Sequence, residues 1–492
     1  MTSSPAPGSG QAAGGVHGTR LVAALVFIAL VVAVIGSLGA PLITAVAQDY
    51  GLSLTAAQWT LTIALLSGAV ATPLLGRLGS ARRRREVVLA TLATVTAGSV
   101  ATVVPAPFAV LLAGRAAQGA GLGLTALMMA TARRHLGERA PATIAMLSVA
   151  STAGIGVGYP VAGLLAQVGG VRAAYLLGVV ITAAALVTAI AALPRDSADA
   201  PVGETVDWFG ALLLSLGLVA VLVVTSQSGL WTGRPLLAGL ILAAGLALLA
   251  CWVVVELRVP RPLVDPAALR HPAVAAANLV MGVSGIAMYL LFTLITRYVQ
   301  TPPQSGYGYG LTEVEAGLVL VPFSVLGFAA GRVVPRLRQR VGPFALLAAG
   351  GVVVVAACVL FAITRTSGVA WPIVAMGVLG FGVGCFSAAM PQAILAVTPA
   401  EETAAAMSVN QVVRSMGFSL GSALGGLVLA AYTVPGHFVP TGSGYTTAAW
   451  TAAALGVAGI ALAAGTAPAR RRRTSPAAPE GASPSPSATR HR

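Results

Sequence analysis

Long apolar stretches alternate with short polar gaps along almost the whole chain. Each stretch holds about 20 residues, the length that an α-helix needs to cross a hydrocarbon core of about 30 Å. The pattern predicts an all-α integral membrane protein with fourteen transmembrane helices. The expected spans, called first to fourteenth in chain order, cover residues 21–46, 56–78, 86–105, 107–131, 142–168, 172–193, 207–229, 234–256, 272–298, 312–334, 343–364, 370–395, 403–431 and 447–467.

Arginines gather mainly in every second gap between the spans. Because cationic residues are enriched in cytoplasmic loops, this bias predicts a multi-pass protein of the plasma membrane with both termini in the cytoplasm. Two inner gaps depart from the pattern, since one has only Arg195 and the other has Glu401 and Glu402 without an arginine. The inner clusters are Arg82 to Arg85; Arg133, Arg134 and Arg139; Arg258, Arg261 and Arg270; Arg336, Arg338 and Arg340; and Arg470 to Arg473.

Composition narrows the function classes. The chain is 57% hydrophobic and only 9% charged, which excludes an ordinary soluble protein. A net charge of +15 could indicate nucleic-acid binding, but the basic runs are short and adjoin spans, so membrane orientation and anionic lipid explain them better. Without lysine there is no phosphate-binding loop of the ATPase type. Three cysteines and five scattered histidines predict neither a metal site nor a cofactor.

Three function classes remain to be compared. A membrane enzyme would need His, Asp or Glu clustered at one membrane face, and no such cluster is visible, so no catalytic residue is predicted. A sensor would be expected to carry an added soluble domain, and no loop is long enough for one. Secondary transport of a small molecule is therefore the leading interpretation, with midplane binding between two helix bundles.

Two local patterns recur in the same order in the two halves of the chain. The repetition predicts two six-helix bundles in pseudo-twofold arrangement, with the seventh and eighth spans inserted between them. The matching groups are Gly76-Arg77 with Gly331-Arg332, and Gly154, Gly158 and Gly163 with Gly417, Gly421 and Gly426. The predicted domains are a disordered tail at 1–20, a bundle at 21–193, a linker with two helices at 194–271, a bundle at 272–467 and a disordered tail at 468–492.

Four segments resemble motifs of the major facilitator superfamily, in its branch of fourteen-spanner drug/proton antiporters. Residues 76–85 look like the loop motif after the second helix, and residues 111–119 look like the fourth-helix motif with its embedded arginine. Residues 154–163 resemble the fifth-helix antiporter motif, and residues 207–213 are similar to the start of the seventh helix. The resemblance implies a monomeric exporter of hydrophobic or cationic small molecules, such as antibiotics, that works by alternating access and exchanges substrate for protons.

The motifs also depart from the family pattern. Ser80 stands where an aspartate is usual, and in the family that aspartate is thought to latch the two halves together. Pro160 comes one residue late in the antiporter motif. The first span has no carboxylate before Asp49, whereas the branch often carries one inside the membrane. Proton coupling is therefore open, and an uncoupled facilitator or an exporter of another metabolite is the alternative.

The candidate residues divide into a substrate or proton pathway and a conformational motif. Arg115 is either a cavity residue or a structural arginine satisfied by backbone carbonyls, and the thirteenth-span polar residues pose the same question. Glu313 and Glu315 are either proton carriers or solvated residues at a helix start. The pathway set is Arg115, Gln118, Glu313, Glu315, Asn410, Gln411 and Arg414; the conformational set is Gly76, Arg77, Gly79, Arg84, Gly154, Gly158, Pro160 and Gly163.

Aromatic residues of the ninth span are a further candidate. Met288, Tyr289 and Phe292 either form an adaptable wall for a large lipophilic substrate or face lipid. Asp207 and Glu256 lie at predicted cytoplasmic helix ends and are expected to be interfacial.

Overall fold

The described part of the chain is helical throughout. A computed structural model describes residues 9–39, 42–52, 54–57, 59–79, 83–195, 207–226, 228–259, 272–337, 340–399, 403–433 and 440–466. Within those ranges no strand is present. Twelve stretches of them are helical, long and apolar enough to cross a membrane.

The long helices occupy the predicted span positions. They are Ser9–Ser37, Trp59–Leu78, Arg84–Val103, Phe108–Ala120 continuing through Gly121–Gly123 into Leu124–His135, Ala140–Ala192, Trp208–Ser226, Pro235–Glu256, Pro272–Gln300, Glu313–Val319 followed by Val321–Leu337, Pro343–Thr364, Ala370–Leu395, Thr403–Ala431 and Gly442–Thr466. Short helices between them are Ile43–Tyr50, Leu54–Ala57, Gly137–Arg139, Ser228–Gly233 and Pro303–Ser305.

The helix count agrees roughly with the predicted fourteen. The fifth and sixth spans form one helix, Ala140–Ala192, whose backbone leaves helical geometry at Gly169 and Gly170. Gly170 has φ of 72°, a conformation that glycine adopts without a Cβ clash. The seventh span, Trp208–Ser226, has a shorter apolar stretch than the others. The first helix begins at Ser9, inside the segment predicted to be a disordered tail.

Equivalent helices pack alike in the two halves. Spans one to six are called the N-terminal half and spans nine to fourteen the C-terminal half. In the N-terminal half the fourth span packs against the second and third, and in the C-terminal half the twelfth packs against the tenth and eleventh. The first span packs against the long fifth-sixth helix, as the ninth packs against the thirteenth and fourteenth. This correspondence is the pseudo-twofold relation that the repeated motifs predicted.

Two helix pairs join the halves, and the pseudo-twofold relation converts one pair into the other. The fifth span packs against the tenth, and the second against the thirteenth. Beside them, the fourth packs against the thirteenth and the fifth against the twelfth. Residues also cross between the cores, since Ala145 and Val149 join the C-terminal core and Met407 joins the N-terminal one. The boundary between the halves is therefore built from four central helices and their neighbours.

The inserted helices lie beside this boundary. The seventh span packs against the eighth and also against the second and thirteenth spans. Leu214 and Leu218 form a small core with Leu66 and Ala69, against which Val412 packs. The insert thus contacts both halves.

Close helix approaches at glycine make the packing sensitive to a single methyl group. Gly380, in the twelfth span, faces the tenth, and a Cβ there would overlap the Phe323 carbonyl. We expect Gly380→Ala to destabilise the protein by about 1–3 kcal/mol, because helix backbones must separate to admit the methyl group. The measurement is the thermal unfolding midpoint of the purified protein in detergent.

Gly239→Ala is the matched control. Gly239 also lies within a helix, and a Cβ there would meet no other atom within 4 Å. The control should leave the midpoint unchanged or raise it slightly, since alanine favours helix. Equal midpoints for the Gly380 variant and the control would contradict the packing described here.

Candidate functional site

Arg115 lies in the fourth span and is completely buried. Its Nε donates to the Thr60 carbonyl at 3.0 Å, and its Nη1 donates to the Ile35 carbonyl at 3.2 Å and to Gln118 Oε1 at 2.6 Å. These acceptors come from the second, first and fourth spans. All three are neutral, and among the described residues Arg115 makes no ion pair. Most of the guanidinium is thus satisfied by backbone and amide oxygens, as the structural interpretation of Arg115 expected.

A chain of hydrogen bonds continues from Arg115 through the N-terminal half. Gln118 Nε2 donates to Ser99 Oγ at 3.0 Å, and Thr182 Oγ1 lies 3.5 Å from the same oxygen. Gln118, Ser99 and Thr182 are all buried. The network therefore links the third, fourth and sixth spans, and Ser99 and Thr182 were not identified from the sequence, because hydroxyl residues are common on membrane helices.

Two buried polar groups of the N-terminal half lack a hydrogen bond of good geometry. They are Arg115 Nη2 and the Tyr175 hydroxyl, and the latter lies beside the Thr60 side chain. Tyr175, at the outer start of the sixth span, is 0% exposed. An unsatisfied buried polar group costs free energy and is rare in native structures.

Polar side chains also connect helices in the C-terminal half. Asn410 Nδ2 donates to Asn278 Oδ1 at 3.1 Å, joining the thirteenth span to the ninth, and both residues are buried. Arg414 Nη2 donates to Gln411 Oε1 at 2.6 Å within the thirteenth span. The structure thus pairs two of the candidates with each other and one with Asn278, which sequence reasoning did not select.

Aromatic rings stack between the same two spans, the ninth and the thirteenth. Tyr289 stacks on Phe418 at 5.1 Å and on Phe292 at 5.5 Å, and Phe292 meets Phe323 edge-on at 5.3 Å. Phe292 and Met288 are buried in the protein, so the lipid-facing alternative does not apply to them. Tyr159 of the fifth span packs against the same core. The aromatic cluster therefore lies at the boundary between the halves.

Glu315 acts as a helix cap. Its carboxylate accepts a hydrogen bond from the Thr312 backbone N–H at 2.8 Å, while Thr312 Oγ1 accepts one from the Glu315 N–H. The side chain is exposed. This capping box satisfies two backbone donors at the start of the tenth span. Glu313 begins the same helix, and its side chain lies outside the described residues.

Glu256 is more deeply buried than the sequence predicted. It was expected at the interface, yet it is only 1% exposed at the end of the eighth span. Trp252, one turn earlier, donates from Nε1 to Glu256 Oε1 at 2.8 Å and helps to hold the carboxylate within the insert. Asp207 lies nearby, with both carboxylates reaching towards Gly210.

The loop motif after the second span packs within its own half. Arg84 is buried and donates from Nε to the Gly79 carbonyl at 2.9 Å. Gly79 approaches Leu127 of the fourth span so closely that a Cβ would overlap it. Gly76 is buried and Arg77 lies in the last helical turn. Ser80, the departure at the usual aspartate, lies outside the described residues.

Cross-half hydrogen bonds lie at the end of the molecule predicted to be cytoplasmic. Arg133, at the end of the fourth span, donates to the Thr398 carbonyl at 2.5 Å and to Thr403 Oγ1 at 3.0 Å. Gln392 Nε2 donates to the Pro141 carbonyl at 2.5 Å. These contacts join the fourth and fifth spans to the twelfth and thirteenth. From the sequence alone Arg133 is only an orientation signal, and Gln392 carries no signal that marks a contact.

The antiporter-motif residues face two directions. A Cβ on Gly154 would meet Ala33, and one on Gly158 would overlap Ser37, so both glycines pack against the first span. Pro160 contacts Gly317, and Gly163 faces Val314, both in the tenth span. The motif therefore contacts its own half through Gly154 and Gly158 and the C-terminal half through Pro160 and Gly163.

Within the described residues, no group of three His, Cys, Asp or Glu side chains could hold a metal ion. Cys358 and Cys385 are buried and Cys251 is exposed, each as a free thiol.

The sequence pattern of the Major Facilitator Superfamily matches residues 25–422. The chain belongs to this superfamily. It is a multi-pass membrane protein whose family handles small molecules, and the family resemblance read from the motifs is confirmed.

Several relatives of this family are named for drug resistance or export. The chain is 27% identical over 391 residues to a multidrug resistance protein B homolog of Mycobacterium tuberculosis, covering 77% of this chain and 70% of the relative. It is 31% identical over 398 residues to a puromycin resistance protein of Streptomyces alboniger, covering 77% and 75%. A probable actinorhodin transporter of Streptomyces coelicolor is 30% identical over 406 residues, with 77% and 67% covered.

A solved structure shares the fold. The crystal structure of the human organic anion transporter MFSD10 superposes with a TM-score of 0.63, covering 91% of this chain and 99% of that one. The sequences are 16% identical, so this likeness establishes the fold alone.

The hydrogen bonds of Arg133 should resist opening at the end of the molecule predicted to be cytoplasmic. We expect Arg133→Ala to favour separation of the inner ends, because two hydrogen bonds between the halves are lost. The measurement is the alkylation rate of a cysteine introduced as Val149→Cys, in a protein whose native cysteines are replaced. Val149 is buried and packs against Gly331 across the boundary, so its labelling reports separation of the halves.

Arg139→Ala is the control for charge. Arg139 lies on the same predicted inner surface and is exposed. The Arg133 variant should be labelled several times faster than the control, since each lost hydrogen bond is worth about 1 kcal/mol. Equal labelling rates would mean that Arg133 does not hold the inner ends together.

Proposed function

We propose that this chain is a secondary exporter of hydrophobic drug-like molecules, antibiotics included, that works by alternating access in the plasma membrane. The observation that carries the proposal is the boundary between the halves. There the fifth span packs against the tenth and the second against the thirteenth, two contacts that the pseudo-twofold relation makes equivalent. Such a boundary permits two rigid halves to rock around a central site. The names of the relatives, which refer to multidrug resistance, puromycin resistance and actinorhodin transport, support export as the direction and drugs as the substrate class.

We further propose the domain division expected from the sequence, with rigid bodies at 21–193 and 272–467 and a linker between them. The largely separate hydrophobic cores of the two halves support it. Both termini then lie in the cytoplasm. The hydrogen bonds of Arg133 and Gln392 would hold the cytoplasmic ends together, so substrate would leave this conformation towards the outside.

The central site is inferred to be mostly apolar. Tyr289, Phe292 and Phe418 offer stacked rings, and large flat aromatic faces suit a lipophilic drug. Arg414 and Gln411 stand on the thirteenth span and add polar groups for orientation. In such an apolar site many weak contacts together determine which compounds bind.

Proton antiport is proposed as the energy source, with an uncoupled facilitator as the runner-up. We expect everted membrane vesicles to accumulate a lipophilic fluorescent cation when the lumen is made acidic. The gradient drives uptake because protons leaving the lumen exchange for substrate entering it. Uptake that ignores the gradient would favour the facilitator, and vesicles without the protein set the background.

Glu315→Gln tests whether Glu315 carries protons or only caps a helix. Since Glu315 is exposed and caps a helix, and glutamine can take the same place in a capping box, we expect the variant to retain gradient-driven uptake within about twofold of the parent and to fold normally. Glu313→Gln, two residues away, is the matched variant. Loss of gradient-driven uptake in the Glu315 variant alone, with normal expression, would assign the proton to Glu315 and overturn this expectation.

A further inference from the structure

We infer that the central site favours aromatic compounds that carry an acidic group, because Arg414 presents its charge to the space between the halves. The carboxylate or phenolate of such a compound would lie against the guanidinium, while its rings stack on the neighbouring aromatic side chains. The inference rests on the proposed export function and narrows its substrate class. Cationic compounds of the same size would bind more weakly.

Arg414 lies on the face of the thirteenth span that points towards the other half. Met407 and Phe418 lie on the same face, since residues four or seven positions apart line one side of a helix. Met407 is buried in the N-terminal core, and Phe418 stacks on Tyr289 of the ninth span at 5.1 Å. Arg414 stands between these two contacts, so its side chain faces the boundary rather than lipid.

The other packed faces of this helix are already filled. Gly417 and Gly421 approach the ninth span so closely that a Cβ on either would overlap a backbone carbonyl. Val409 and Val412 pack against the small core that the insert forms with the second span. Because neither of these faces leaves room for a ligand, the face of Arg414 is the one that can receive it.

The side chains on the Arg414 face border open space. Gln411, Arg414, Phe418 and Tyr289 are each partly exposed, although they lie within the spans. Arg414 Nε and Nη1 have no acceptor among the described residues, yet both retain accessible surface. Tyr159 of the fifth span is also partly exposed and packs against the C-terminal core. The space therefore has a guanidinium on one side and aromatic rings beside it.

The charge of Arg414 has no counter-charge within the described ranges. Its hydrogen bond there goes to Gln411 Oε1, a neutral oxygen, at 2.6 Å, and it makes no ion pair with a described carboxylate. A charged side chain inside the membrane costs free energy unless it is paired or faces water. An acidic ligand would supply the missing charge, whereas a cation would be repelled. The described carboxylates of the two halves are all exposed, and they are Asp49, Glu86, Glu138 and Glu315.

Arg115 provides a comparison within the same protein. It is completely buried and donates to three neutral oxygens from three spans, so its guanidinium serves the packing of the N-terminal half. Arg414 donates only within its own helix among the described residues. Its remaining N–H groups are therefore available to a ligand.

The test compares two dyes that share a xanthene ring system and a methyl ester. Fluorescein methyl ester is an anion at mildly alkaline pH, whereas rhodamine 123 is a cation. Binding of each dye to the purified protein in detergent is followed by fluorescence anisotropy, and micelles without protein set the background. We expect the anion to bind about tenfold more tightly than the cation, since hydrogen bonds to a charged group are the stronger ones. Equal affinities, tighter binding of rhodamine 123 or binding of neither dye would overturn the inference.

Two substitutions remove the charge in different ways. Arg414→Gln deletes it, and Gln411→Glu places a carboxylate where Oε1 already accepts from Arg414 Nη2, so that the site carries its own counter-charge. Each should weaken binding of fluorescein methyl ester about tenfold, because a hydrogen bond to a charged group is lost or occupied. Rhodamine 123 should bind unchanged or more tightly. Since Gln411→Glu keeps the shape of the side chain, it decides the matter if Arg414→Gln does not fold.

Arg234→Gln is the control for loss of a positive charge. Arg234 is exposed at the start of the eighth span, and its variant should bind both dyes as the parent does. Equal weakening of both dyes in Arg414→Gln and Gln411→Glu would assign the pair to helix structure and overturn its role in selecting charge.

Transport of the two dyes in proteoliposomes separates failure of this inference from failure of the exporter proposal. Transport of rhodamine 123 without any preference for the anionic dye leaves the exporter standing and overturns the charge preference. Arg414-dependent binding of the anion without transport of either dye keeps the site and counts against drug export.

Discussion

A buried polar group in a membrane-spanning helix costs free energy unless it finds a partner inside the protein, because hydrocarbon offers none. Arg115 shows the constraint in its strongest form. A guanidinium in the membrane interior costs several kcal/mol unless it is satisfied, and here the oxygens of Thr60, Ile35 and Gln118 supply three hydrogen bonds from three helices. The positions of the first, second and fourth spans are thereby tied together. The Ser99 and Thr182 contacts extend the same arrangement to the third and sixth spans.

Glycine provides the complementary constraint of distance. Backbone carbonyls reach a neighbouring helix only where helices approach closely, and such approaches occur at Gly154 and Gly158 against the first span and at Gly380 against the tenth. Small residues at helix contacts are the usual means of close packing in membranes. In this chain, the same residue type sets the packing within each half and part of the contact between the halves. Helix separation and polar satisfaction are therefore coupled.

The sequence predicted the spans and their grouping well, because apolar length and repeated motifs are local signals. It also predicted the gap after the fifth span, where Gly169 and Gly170 bend a helix that otherwise continues. It could not predict which polar residues meet. Asn278 is one amide in an apolar span, and only the fold brings Asn410 to it. The burial of Glu256 was not predicted, because it depends on packing and on a hydrogen bond from Trp252, one helical turn earlier. Gln392 lacks any linear motif that would mark a contact across the boundary.

The contact of Arg133 with the Thr398 carbonyl has a consequence for how this junction tolerates change. A latch between two charged side chains fails when either residue is replaced, and it weakens in acid or in high salt. A main-chain oxygen is present whatever amino acid occupies position 398, and it does not titrate. This acceptor is therefore fixed by the backbone, and a substitution at position 398 would leave it in place, whereas the second acceptor of Arg133, Thr403 Oγ1, would be lost with its side chain.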